Sequence, residues 1–321
     1  MMNMRLSISL VLALIVVVPL SLLAGRVWIG PFGPFSPQQV LIIAELRLPR
    51  AMLALVVGGG LGAAGAAMQG YLRNPLADPG LFGIAPGAAL GAVLSFYTGF
   101  AVQPFALPAF ALAGAAGSMA LLALIAGRTG SVALFTLAGM MIASLAGALT
   151  SLAISLSPNP FALSEIVTWL MGALSDRSWR EVWIAAPLSL AGIAVLLRAG
   201  SQLDALTLGE AAARSLGIDP RRLQALMVAG IGLTVGGGVA VAGIIGFVGL
   251  IVPHLLRPFT DGRPSSLIVP SALAGGLLLL LADCLCRVLP LSGELRLGIA
   301  LSLLGAPFFL MLLLKMRREL A

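Results

Sequence analysis

The sequence has little with which to meet water. Charged residues are 10% of its 321, against about 25% in a soluble domain. A folded body of this size needs more polar surface than that. This excludes a cytosolic enzyme and a disordered chain. There is one lysine, Lys315, and one histidine, His254. The eighteen arginines are scattered singly among apolar stretches, so a formal net charge of +7 forms no basic patch for nucleic acid. The two cysteines, Cys284 and Cys286, sit two apart in an apolar run, which argues against a disulfide framework or a Cys/His metal site. His254 reads as a helix-end histidine, with no second ligand nearby. No GxxxxGK[ST] run occurs, so the chain does not hold ATP through a P-loop. Ionisable groups inside the apolar stretches are equally scarce. Asp283 is the main one, and Arg287 lies four residues on along the same helical face, where the two can neutralise each other; a proton relay is the other reading.

What is abundant is apolar sequence, 60% of residues. A transmembrane helix needs about 20 apolar residues. Breaking the chain at charges and Pro/Gly clusters gives about ten spans, near 6–24, 51–70, 81–98, 104–127, 131–157, 181–198, 222–243, 246–258, 267–289 and 297–315. The fold class is therefore an all-α integral membrane protein, read as a single transmembrane domain over 1–321. The stretch at 161–174 is too short to cross and reads as a helix outside the core. The first span is too long for a signal-peptide core and reads as uncleaved. With both termini in the cytoplasm, twelve cations fall inside: Arg5, Arg73, Arg128, Arg198, Arg214, Arg221, Arg222, Arg257, Arg263, Lys315, Arg317 and Arg318. Seven fall outside: Arg26, Arg47, Arg50, Arg177, Arg180, Arg287 and Arg296. That balance follows the positive-inside rule, but seven outer arginines need a separate explanation.

Glycine is frequent inside the spans, as at Gly58, Gly62 and Gly65. In lipid, small residues let helix backbones approach closely. A weak echo joins PRAMLALVVGG (49–59) to PRRLQALMVAG (220–230), within a possible inverted repeat over about 47–157 and 218–316. Two loops carry more information. In 69–91, Asn74-Pro75 and Asp78-Pro79-Gly80 mark a rigid corner. In 203–223, Thr207 and Glu210 have capping-box spacing and Gly217 is a helix stop. The spacing predicts a short surface helix over about 208–216.

These segments resemble one family. RLPR (47–50), QGYLRNPLADPGLFGI (69–84), LGEAAARSLGI (208–218), GFVGLIVPHLLR (246–257), LLAD (280–283) and LGAPFFL (304–310) are similar to the FecCD-type permeases of ABC importers, which take up vitamin B12, haem and ferric siderophores. The resemblance covers nearly the whole chain. It implies the type II ABC importer permease architecture in a bacterial inner membrane. It also implies a homodimer of permeases, two cytoplasmic ATPases that bind the ATP, and a periplasmic substrate-binding protein. No cofactor of the permease's own is implied. The family's ATPase-coupling helix falls on Leu208, Gly209, Glu210, Ala211, Ala212, Ala213, Arg214, Ser215, Leu216 and Gly217. Its docking arginines fall on Arg47, Arg50 and Arg287, and the extra charge of Arg296 joins that rim. Its translocation path falls on the fifth span and the short helix after it, here Met140, Met141, Asn159, Phe161, Trp169 and Met171. The chain departs from many relatives at Ile244 and Arg296, where they have proline. The rival reading is a self-contained secondary transporter for a small solute.

Overall fold

The computed structural model describes residues 2–32, 34–127, 130–157, 159–290 and 293–320. Arg128 lies outside them, as does the side chain of Arg318. The described residues form fourteen α-helices with short π and 3-10 segments and no strand. In chain order these are α1 (Met2–Leu23), α2 (Pro37–Leu41), a π segment (Ile42–Arg47), α3 (Leu48–Leu72), α4 (Ile84–Tyr97), α5 (Ala106–Ala126), α6 (Val132–Ser155) and α7 (Pro160–Leu170). There follow α8 (Trp179–Leu206), α9 (Glu210–Ser215), α10 (Pro220–Ile231), a π segment (Gly232–Gly236), α11 (Gly237–Ala242), α12 (Val248–Leu256), α13 (Pro264–Val288) and α14 (Leu297–Leu320). Among the described residues, seven helices are long and apolar enough to cross a membrane.

The helix starts are set locally. Ser36, Ser131, Asn159, Ser178 and Asp219 each sit in extended backbone and accept a hydrogen bond from the first turn of α2, α6, α7, α8 and α10. Such a cap is worth about 1 kcal/mol. Ser178 and Glu181 form a full capping box, with Ser178 N–H donating to Glu181 at 2.8 Å.

The centre of the bundle is α3 against α13, which run antiparallel with the most extensive contact in the molecule. Residues Val57 to Tyr71 of α3 are buried without interruption, the signature of a helix that is apolar all round. A methyl group at Gly62 would overlap the carbonyl of Ser271, and one at Gly58 the carbonyl of Gly275. The two backbones touch, and dispersion at that contact replaces the hydrophobic drive that lipid cannot supply. The outer helices are different. On α1, Met4, Ile8, Leu12 and Ile15 are exposed; on α6, Leu137, Met141, Leu145 and Leu152 are. Stripes of this length are not stable against water and belong against lipid or a second subunit.

The sixth span was expected at 181–198, but α8 continues to Leu206. Gly200 does not stop it, because that residue is buried against Ser265 of α13. Beside Ile244, where many relatives have proline, the helix breaks without one. Gly243 (φ +72) ends α11, and its amide donates to Val239 O. The corner read at Asp78 is also present: its side chain accepts from Gly80 N–H at 2.7 Å. Burial raises the Asp78 carboxyl above its ordinary range, opposed by the amides of Gly80 and Phe247.

Candidate functional site

Two ends of the bundle hold the sequence-predicted residues. At one end lie the N-terminus of α3, the C-terminus of α13 and the start of α8. At the other lie the C-termini of α3 and α8, helix α9 and the start of α13.

The first end is a charge cluster around one buried carboxylate. Asp283, 1% exposed, receives Arg50 Nη2 at 2.8 Å and Arg287 Nε at 3.1 Å. The expected helical pair with Arg287 is therefore made, and Arg50, 233 residues away in sequence, completes it. Arg50 Nη1 also meets Glu294 at 3.0 Å. Arg287 donates to Ala24 O and Arg47 to the carbonyls of Leu22 and Val27. The π segment before α3 inserts an extra residue per turn and ends with Arg47 turned inward, 8% exposed.

All four arginines assigned to docking by resemblance are thus bonded within the subunit, three of them in this cluster. The fourth, Arg296, donates to Ser175 at 3.2 Å and joins the two loops that flank a cleft of about 700 Å³. Arg26, Glu45, Arg50, Asp176, Arg177, Glu294 and Arg296 line that cleft. Burial lowers the Arg177 guanidinium below its ordinary value, with Glu181 and Asp176 acting against it. Sequence reasoning placed Arg26 and Arg177 on this side without giving them a role, and it did not connect Glu294 to Arg50. No local signal marks a contact between residues so far apart.

At the other end α9 stands between two left-handed glycines, Gly209 (φ +103) and Gly217 (φ +83). The expected capping box is not formed. Gly209 is the N-cap and makes no side-chain bond, while Thr207 closes α8 and donates its hydroxyl to Asp204 O at 2.7 Å. The reason is competition. Helix α8 runs on to Leu206, so Thr207 is spent at its C-terminus. The expected stop is made: Gly217 N–H donates to Arg214 O and Ile218 N–H to Ala213 O, the paired bonds of a Schellman motif. Leu208 and Leu216 are exposed at either side of α9, and Arg214 faces Glu210 at 3.9 Å. Ala213 is buried instead, in a small hollow it shares with Tyr71 of α3, Ile218 and Leu223.

Tyr71 is the link inward. It meets Phe135 of α6 edge-on at 5.2 Å, and Phe135 stacks on Phe82 of the 79–83 corner at 5.9 Å. Helix α6 then carries Met140 and Met141, both exposed. Phe161 of α7 is 85% exposed and Met171 partly so. Asn159 caps α7 through Ala162 N–H. Trp169 is the exception, turned inward at 7% exposure, with its carbonyl against Gly243.

The FecCD transport family model matches residues 10–315. The chain belongs to the FecCD transport family. Among relatives, the vitamin B12 import system permease protein BtuC of Escherichia coli is 39% identical over 322 residues, 98% of this chain and 97% of that one. The BtuC of Citrobacter koseri is 37% identical over 318 residues, 98% and 96%. A solved structure named for an inward-facing metal-chelate type ABC transporter superposes with a TM-score of 0.89 at 32% identity, covering 97% of this FecCD chain and 99% of its own. The all-α permease architecture expected from sequence is thus that of this FecCD protein.

Proposed function

We propose that this protein is the membrane permease of an ATP-driven importer, working as a homodimer with two cytoplasmic ATPases and a periplasmic binding protein. Its end with α9 faces the cytoplasm and its arginine cluster faces out. The cargo is vitamin B12 or an iron chelate. Kinship with proteins named for vitamin B12 import supports the corrinoid first. The single observation that carries the importer reading is the placement of α9. It is a short helix closed by a Schellman stop, with exposed leucines beside it, packed through Ala213 onto Tyr71. A push on α9 reaches α3 through Tyr71 and α6 through Phe135. Helix α6 bears the exposed methionines assigned to the path. Packed cores pass such displacements as discrete rearrangements.

The secondary-transporter reading relies on a titrating group in the membrane, and its one candidate, Asp283, is held by two guanidinium groups. Affinity purification from the native membrane tests the proposal. A stoichiometric subunit with a Walker motif should come with the chain. Uptake in proteoliposomes should require ATP inside. Uphill uptake by the permease alone on an ion gradient would reject it. Mass spectrometry of the ligand carried by the cognate binding protein names the cargo.

A further inference from the structure

Beside α9 lies a second cavity, of about 220 Å³, between the C-terminal end of α3 and the start of α13. Its floor is apolar, with Ala66 and Leu267, and its mouth holds Arg73, Thr207, Arg257 and Gly262. No carboxylate lines it. Neither arginine makes an ion pair among the described residues. The carboxylates of the neighbouring segments are engaged elsewhere. Asp204 takes Ser265 N–H and hydroxyl, and Asp261 takes Ser266 and faces Arg263 at 3.7 Å. Arg257 is held in place rather than free. Its Nη2 donates at 3.0 Å to Gln69, whose own amide reaches the carbonyls of Gly249 and Leu250. That leaves Arg257 Nε buried with no partner. Arg73 is exposed at the C-cap of α3. The part-buried guanidinium of Arg257, with an unpartnered Nε, is costly unless an anion completes it, and the exposed Arg73 stands beside it to share that anion.

The surroundings indicate where that anion comes from. Leu255 and Phe259, on either side of Arg257 in sequence, are both exposed. Apolar side chains flanking an arginine at the end of a span match the level where a lipid headgroup meets its acyl chains. We infer that Arg73 and Arg257 form a phosphate site that takes the headgroup of an anionic phospholipid. The cavity has room for a phosphate and bound water, at roughly 30 Å³ per water. The inference depends on neither the cargo nor the ATPase.

The test is native mass spectrometry of the full-length chain in neutral detergent, titrated with phosphatidylglycerol, phosphatidylcholine and inorganic phosphate. Phosphatidylglycerol should bind more tightly than phosphatidylcholine. Arg73→Gln, at an exposed position, should weaken it about fivefold, and Arg73→Gln with Arg257→Gln about thirtyfold. Arg263→Gln, whose partner is Asp261, should change nothing, and an unaltered thermal midpoint certifies that Arg73→Gln is folded. Inorganic phosphate should displace the lipid only in large excess. Unchanged lipid affinity in Arg73→Gln overturns the proposal, as does equal binding of the two lipids. Inorganic phosphate binding as tightly as the lipid makes the source soluble phosphate and overturns the lipid assignment. Cross-linking of a partner protein's carboxylate to Arg73, with the lipid unable to compete, would assign the site to that protein instead.

Discussion

The two ends of the bundle handle charge in opposite ways. At the end proposed to face outward, Asp283 and Glu294 draw Arg50 and Arg287 into a buried network. Charge there serves the fold first. At the end proposed to face the ATPase, the ion pairs among the described residues are exposed, Glu210 with Arg214 and Asp261 with Arg263, and Arg73 and Arg257 join none of them. Exposed pairs contribute about 0–1 kcal/mol, whereas breaking a buried one costs about 3–5 kcal/mol by stranding its partner. The same residue types therefore give rigidity at one end and leave charge available to bind at the other.

The largest test of this contrast removes one carboxylate at each end. Asp283→Ala should destabilise the protein by about 3–5 kcal/mol, because Arg50 and Arg287 lose their shared counter-ion. Asp261→Ala should cost less than about 1 kcal/mol. Thermal unfolding in one detergent compares them directly. Equal losses would show that the buried cluster is no stronger than a surface pair. The cluster also changes how docking should be probed. Arg47→Glu would set a carboxylate against the carbonyls of Leu22 and Val27, so it reports on folding. Arg296→Glu, at the cleft, is the cleaner probe.

The next effect is functional. Glu210→Arg places like charges at the ends of one turn of α9 and reverses the side chain offered at its N-terminus, where the helix dipole favours an anion. Stability should move by less than about 1 kcal/mol, since the residue is partly exposed. ATP hydrolysis should persist while uptake is lost. Normal uptake would remove α9 from the coupling role. Phe135→Leu extends the same test inward. It trims the contact with Tyr71 and Phe82, each such aromatic pair being worth about 0.5–1.5 kcal/mol, and should lower uptake per ATP hydrolysed without releasing the ATPase.

Much of this was legible in the sequence for definite reasons. The spans follow from apolar length alone; the caps at Ser131, Asn159, Ser178 and Asp219 that set their starts are a local signal the sequence reading did not use. Gly217 was readable because a Schellman stop needs a residue at positive φ. Thr207 misled because its role depends on where α8 ends, and the polar stretch with Ser201, Gln202 and Asp204 reads as loop although the helix runs through it. Arg47, Arg50 and Arg287 were found as a group by resemblance. Their burial was not visible, because the partner Asp283 lies 233 residues from Arg50. The inward position of Trp169 was hidden likewise, since its backbone packs against Gly243, more than seventy residues on.

The smallest effect is the one that separates the two ends most finely. Glu294 is 30% exposed and occupies Arg50 Nη1, the guanidinium nitrogen that Asp283 does not bind, and both residues line the cleft. On the proposed docking, a carboxylate arriving from a binding protein has to displace it. Glu294→Gln keeps the size and the hydrogen-bond acceptor but removes the charge, so that Arg50 turns outward electrostatically while Asp283 still anchors it. Association with the binding protein should tighten by a few-fold, with most of the change in the on-rate and a steeper salt dependence. Surface plasmon resonance at two ionic strengths measures both. If affinity falls instead, Glu294 is itself a contact for the partner, and the cluster end offers negative as well as positive charge to what docks there.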